Sequence, residues 1–178
     1  AIKEIKKTDF SICVAPPGFG KTLLGAKIFE IRACSTLIVV NKNMLLNQWI
    51  ERFVDYFGYT KKDIGYLGKG HNKLNGSIDV GTMQSLKNDP DIINNYSFVI
   101  IDECHHIPAI TFEQIVKNFK GKYLLGLSAT PNRKDELQPI LYQQLGDISY
   151  EYKKKKTHTN KLQIIKTNFE STADNYAT

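Results

Sequence analysis

The 178-residue sequence predicts a single α/β domain, with a mainly parallel sheet flanked by helices on both faces. Three observations carry that expectation. Short apolar runs occur at residues 12–14, 37–40, 98–101 and 123–127; consecutive apolar positions mark strands buried on both faces, as in parallel sheets. Segments with helical periodicity alternate with these runs, as a doubly wound sheet requires. Polar and glycine-rich strings follow the runs directly, at the strand ends where ligands of such sheets bind.

Taken in order, the first helical segment has Leu24, Ile28 and Ile31 on one face. The second carries a wide stripe of Leu45, Leu46, Trp49, Ile50, Phe53, Val54 and Phe57. A third repeats i, i+3, i+4, i+7 spacing with Phe112, Ile115, Val116 and Phe119, and is expected to end at Gly121. All three stripes are read as packing against the sheet. Residues 58–81, richer in Gly, Lys and Asn, read as a turn-rich surface insert with brief strand-like pieces at 64–67 and 77–80. Beyond Tyr152 the string KKKKTHTN, a possible strand at 162–166 and a polar end read as a linker or edge segment. The lysines at 153–156 are read as a solvated linker face.

A hydrophobic content of 42% is enough for a proper core, and the net charge of +6 is compatible with polyanionic partners without requiring them. Cys13, Cys34 and Cys104 are irregularly spaced and suggest neither a disulfide framework nor a zinc site. With no apolar run of membrane-spanning length and no signal-peptide pattern, a soluble, cytoplasmic protein is expected. The initial Ala1 and a strand beginning near Phe10 suggest a piece of a longer product.

The first run leads into APPGFGKT, residues 15–22, and then a helix near Lys21. This is the strand, loop and helix context of a phosphate-binding loop. Pro17, Gly18, Phe19 and Gly20 form the turn; the glycines let backbone N–H groups converge on phosphate oxygens beside a helix N-terminus. Lys21 would reach the β- and γ-phosphates, and Thr22 would offer its hydroxyl to Mg²⁺. Ala15 stands where the common pattern has its first glycine. A plain Gly-Pro turn before a lysine is the bland alternative.

The third run ends in Asp102-Glu103-Cys104-His105. Asp102 would hold Mg²⁺ through its water shell, and Glu103 would orient and deprotonate the water attacking the γ-phosphate. Asp and Glu also favour helix starts, so the pair alone would read as a cap. Three adjacent residues cannot all face one ion, which argues against zinc at Cys104, His105 and His106. His105 is expected to hydrogen-bond across the site, and His106 to be a surface or packing residue. The fourth run ends in Ser128-Ala129-Thr130-Pro131, placing two hydroxyls at the same edge. In isolation this is an ordinary turn.

In order, APPGFGKT, LIVVNKNMLLNQW, GTMQSL, VIIDECHH and LLGLSATPNRKD resemble the first motifs of the superfamily 2 helicases, with a DExH-type acidic box. The wording is similar to the branch of type III restriction enzyme Res-subunit-like domains and repair helicases, over about residues 10–151. The resemblance implies a RecA-like P-loop NTPase fold, with an ATP-binding domain at residues 1–151 and residues 152–178 leading to a missing second RecA-like domain. It implies an ATP hydrolase tracking nucleic acid, DNA rather than RNA, with a nuclease or methyltransferase as a possible partner. ATP and Mg²⁺ would be held by Pro17 to Thr22 and Asp102. Lys21, Asp102, Glu103 and His105 would act in catalysis, while Ser128, Ala129 and Thr130 would couple hydrolysis to movement.

By the same resemblance Asn41, Lys42, Gln48, Thr82 and Gln84 would contact the strand backbone, although Thr82 and its neighbours could equally be helix caps. Arg133 lies in a string similar to the family pattern. Two departures stand out: no glutamine motif for adenine precedes the loop, and the second domain's arginine finger is absent. The chain alone should therefore hydrolyse ATP slowly and not unwind duplexes. A small-molecule kinase would need more substrate-binding arginines than Arg32, Arg52 and Arg133. A catalytically weak nucleic-acid module would use Lys42, Lys69, Lys73 and the run at 153–156, but the intact Lys21 and Glu103 speak against it. An ATPase subunit of a restriction system remains an alternative.

Overall fold

The computed structural model describes residues 1–106, 109–117, 119–130 and 138–153. Arg133, Pro131, the lysines at 154–156 and the possible strand at 162–166 lie outside the described residues.

After a short helix α1 (Ile2–Ile5), the elements run β1 (Phe10–Val14), α2 (Lys21–Arg32), β2 (Thr36–Val40), α3 (Asn43–Phe57), β3 (Gly65–Gly68), β4 (His71–Lys73) and β5 (Ile78–Thr82). They continue with α4 (Met83–Asn88), a 3-10 helix (Pro90–Asn95), β6 (Phe98–Ile101), a 3-10 turn (Cys104–His106), α5 (Ala109–Val116), β7 (Tyr123–Ser128), α6 (Gln138–Leu145) and β8 (Ile148–Glu151). The eight strands among the described residues form one sheet in the order β4-β3-β5-β2-β6-β7-β1-β8. Every pairing is parallel except the β3–β4 hairpin.

Strand alternation divides the core between the two faces. On β2, Leu37 and Val39 join Met83, Leu86, Ile93, Ile115, Val116 and Leu145 from the helices of one layer. Ile38 and Val40 join Leu24, Ile28, Leu46, Trp49 and Phe53 from α2 and α3 on the other. Trp49 and Phe53 are fully buried, and each large apolar side chain so removed from water contributes about 1.5–3 kcal/mol. Helices α2 and α3 approach closely at Gly25, where an added Cβ would lie 2.7 Å from Trp49 Cη2. A side chain there would push the indole from its seat.

Four readings of the sequence need correction. Ile31 is 38% exposed, while Phe29 takes the third buried place on α2. Helix α5 closes at Val116, before Gly121. No strand was expected at 148–151, where half-exposed β8 extends the sheet beyond β1. The largest difference concerns residues 58–81: β5 is wholly buried and lies between β3 and β2 inside the sheet. Its sequence IDVGT looks polar because it carries Asp79 and Gly81 into the interior. Asp79 is fully buried and accepts hydrogen bonds from Asn75 N, Gly76 N and Tyr96 Oη, while Gly81 lies beside Leu37 and Leu67.

Candidate functional site

The parallel register brings the ends of β1, β6 and β7 to one edge. Val14 pairs with Ser128, Ala15 N donates to Ser128 O (2.9 Å), and Asp102 N donates to Val39 O (2.9 Å). Between β1 and α2 the chain turns at Gly18 (φ +80°) and Gly20 (φ +91°). An added Cβ would meet nothing at either position, so the glycines serve backbone conformation. Gly20 is the N-cap of α2, and no side chain caps that end. The first-turn N–H groups are thus left for a ligand.

Lys21 opens the helix with its side chain turned inward and 8% exposed. Its Nζ donates to Ala15 O (3.0 Å) and lies 3.4 Å from Glu103 Oε1. Asp102 is 4% exposed. Its Oδ2 accepts from Trp49 Nε1 (2.8 Å), and its Oδ1 accepts from Glu103 N (3.0 Å). Burial raises the Asp102 carboxyl above its ordinary value, and the nearby Glu103 charge adds to this; the indole donor and Lys21 pull the other way.

Glu103 sits at φ +48°, a left-handed conformation that costs a non-glycine residue roughly 1–2 kcal/mol. The reversal ends the strand and swings the carboxylate back over Lys21. Glu103 Oε2 is buried and accepts no hydrogen bond among the described residues. His105 Nδ1 is 3.4 Å from it, but its hydrogen-bond geometry is with Ser128 Oγ (3.0 Å). Ser128 Oγ also bonds to Thr130 O and accepts from Thr130 N (3.3 Å). Ala129 is half-buried between them, Thr130 and His106 are exposed, and Cys104 is buried.

One cavity of about 410 Å³ joins these groups, lined by Pro17, Gly18, Gly20, Lys21, Thr22, Asp102 and Glu103. Leu23 of α2 and one face of α3, at Leu45, Gln48, Arg52 and Tyr56, complete its wall. Sequence reasoning missed Arg52 and Tyr56, although their spacing from Leu45 follows the helical repeat. It read Trp49 as part of an apolar packing stripe and gave it no part in holding Asp102; the indole both fills the core and donates to Asp102. Gln48, grouped by sequence with Asn41 and Lys42, is one of the residues lining the cavity.

Asn41 and exposed Lys42 follow β2, with Lys42 as N-cap of α3. Asn41 Oδ1 is buried without a hydrogen bond among the described residues. Val40 pairs with Thr82, which brings the two strand ends side by side. Thr82 is 6% exposed and caps α4 through Ser85 N (3.3 Å), while Gln84 is exposed. Of the two readings open for Thr82, a cap describes its hydroxyl. No group of three or more His, Cys, Asp or Glu among the described residues could hold a metal ion by itself.

The family described as "Type III restriction enzyme, res subunit" matches residues 1–133. The chain belongs to that family. It is a RecA-like ATP-binding domain of the superfamily 2 helicase type, the fold expected from its motifs. A "DNA 3'-5' translocase XPB2" of Sulfurisphaera tokodaii is 36% identical over 153 residues, covering 84% of this chain and 34% of that protein. The UvsW helicase of bacteriophage T4 superposes with a TM-score of 0.74 at 22% identity, over 84% of this chain and 57% of that one. The Hef helicase domain of Pyrococcus furiosus gives 0.69 at 21% identity, over 85% and 37%. The chain thus spans about a third of the curated relative it matches. No helix among the described residues is long and apolar enough to cross a membrane.

The state of Asp102 gives this domain a pH signature. An acid with a raised folded pKa binds more protons folded than unfolded, so stability falls as pH rises from about 3.9 through the raised value. The expected result is a descending stability limb above that pH which Asp102→Asn flattens. Urea unfolding of both forms across pH checks it; parallel slopes would refute the assignment.

Proposed function

We propose that this domain binds and hydrolyses ATP with Mg²⁺ and that the protein it belongs to uses this cycle to move along DNA. The observation carrying the reading is the buried approach of Glu103 to Lys21, 3.4 Å apart, in a cavity shared with Thr22 and Asp102. Three features fit a nucleoside triphosphate and its cation: a buried lysine at an uncapped helix start, glycine turns, and a carboxylate oxygen that accepts no hydrogen bond among the described residues. The Lys21 ammonium would hold the β- and γ-phosphate oxygens, with the first-turn N–H groups of α2 beside it. Thr22 and Asp102 would hold Mg²⁺, Asp102 through water. Bound there, the cation would neutralise charge on the phosphates.

The Glu103 carboxylate, which lines the cavity, would accept a proton from the attacking water. His105 would register the occupied site and pass the change to Ser128, whose hydroxyl already binds the Thr130 backbone. This is the coupling role of residues 128–130. Asn41, Lys42 and Gln84, at neighbouring strand ends, would meet the strand backbone. The printed description of the Sulfurisphaera relative as a DNA translocase supports DNA over RNA. A second RecA-like domain would complete the ATP site, so residues 1–178 alone should turn over slowly. The test is ATP hydrolysis by the longer protein with and without added DNA or RNA. Stimulation by DNA is expected; turnover indifferent to both would overturn the reading.

A further inference from the structure

The strand end itself fixes part of Asp102. Its N–H donates to Val39 O (2.9 Å), and its Oδ1 accepts from the N–H of the next residue (3.0 Å). The other oxygen, Oδ2, accepts from Trp49 Nε1 at 2.8 Å, the one side-chain donor to this carboxylate among the described residues. A neutral indole donor orients a carboxylate and leaves its charge for a cation, as the outer partners of metal ligands do.

Trp49 is in turn fixed by its surroundings. It is fully buried, its ring lies 6.1 Å from Phe53, and α2 comes so near that a Cβ at Gly25 would be 2.7 Å from Cη2. The indole therefore moves with α3 or not at all, because a close-packed interior passes displacement on. The bond to Oδ2 can lengthen by about 0.4 Å before it leaves the ordinary range for N–H donors. A larger shift of α3 either carries the carboxylate along or releases it.

Helix α3 begins where the strand contacts are placed. Lys42 is its N-cap, Asn41 precedes it, and no side chain caps that end. The helix start is seated among strand ends: a Cβ at Gly68 would lie 3.2 Å from Asn43 Oδ1 and 3.2 Å from Thr82 Cγ2. Trp49 follows about two turns, or about 10 Å, along the axis. One helix thus carries the strand-contact residues at its start and the restraint on the metal ligand further along.

Resting on the nucleotide and strand-contact reading above, we propose that Trp49 is a positioning residue through which a nucleic-acid strand at the start of α3 sets the Asp102 carboxylate for the cation. Strand contact at Lys42 seats α3, and the seated helix holds the indole N–H on Oδ2. Asp102 then presents a fixed face to Mg²⁺ bound with the nucleotide. By linkage, each ligand raises the affinity for the other by the same factor.

Two equilibrium measurements on the 178-residue chain test this. The first is the affinity for Mg·AMP-PNP, a non-hydrolysable ATP analogue, with and without saturating oligothymidine. The ratio should be about 5-fold or more in the wild type, as for coupled sites generally, and should fall to about one in Trp49→Phe. Phenylalanine keeps an aromatic ring in the core and removes the donor. A residue that only supported the fold would weaken both affinities and leave their ratio intact. The second measurement needs no variant and decides the matter if Trp49→Phe does not fold. Trp49 is the chain's single tryptophan, so its indole gives one ¹⁵N–¹H signal, which should shift when oligothymidine binds without nucleotide. An unmoved signal on a DNA-bound chain, a wild-type ratio of one, or a ratio that Trp49→Phe leaves unchanged overturns the role of Trp49, while both ligand sites stand. A chain that binds the analogue but no DNA overturns the strand contacts at Asn41 and Lys42 together with the link. A chain that does not bind the analogue overturns the nucleotide reading itself.

Discussion

Glu103→Gln is expected to lower DNA-stimulated ATP turnover of the longer protein by about 10²–10⁴-fold, the usual contribution of a general base, while nucleotide binding persists. Gln keeps the size and shape of Glu, and the left-handed backbone at φ +48° is as accessible to one as to the other. What disappears is the proton-accepting carboxylate and its negative charge, 3.4 Å from Lys21 Nζ. Losing that charge removes repulsion of the terminal phosphate, so ATP should bind the variant at least as tightly as the wild type. Steady-state turnover and equilibrium binding check the two halves separately. Turnover within a few-fold of the wild type would exclude Glu103 as the base, and a parallel loss of binding would give it a structural role.

The second large effect lies at the other end of the sheet. Asp79→Ala should destabilise the domain by about 3–4.5 kcal/mol, for three hydrogen bonds at about 1–1.5 kcal/mol each. Asp79 is fully buried and its two oxygens accept from Asn75 N (2.9 Å), Gly76 N (2.7 Å) and Tyr96 Oη (2.6 Å). Together they tie the turn before β5 to the residue two places ahead of β6. Burial, and then the Asp79 carboxylate, push the Tyr96 phenol pKa upward, so this proton stays in place throughout the ordinary pH range. Tyr96→Phe removes one of the three bonds and should cost about 1 kcal/mol. Against a total stability of about 5–15 kcal/mol, the alanine variant would be marginal. Urea denaturation measures both, and a loss under about 1 kcal/mol for Asp79→Ala would refute the anchoring role.

These two residues differ in how far a reader of the chain could see them. Glu103 follows an unbroken apolar run in a string whose order with the other motifs is specific, so its candidate role was legible. Asp79 sits in IDVGT, where a buried carboxylate, a glycine and a threonine imitate a surface segment. Its donors are two backbone amides and a phenol seventeen residues away in sequence, and nothing in composition shows that they converge. Trp49 posed a different difficulty: an apolar stripe explains it completely, and the indole N–H contributes only because Asp102 ends the neighbouring strand. Arg52 and Tyr56 were visible as positions on a helix face, but not as the wall of a particular cavity.

By itself the sequence determined the strands buried on both faces, the glycine turns before Lys21 and the carboxylate pair after β6. These are local: a parallel strand needs consecutive apolar residues, and left-handed turns at a phosphate loop need glycine. Tertiary structure alone decided that β5 is interior, that Trp49 holds Asp102 across 53 residues, and that Phe19 meets Tyr150 and Tyr152. Those contacts depend on the spatial order of the strands, which places distant segments side by side at one edge and which no local pattern encodes.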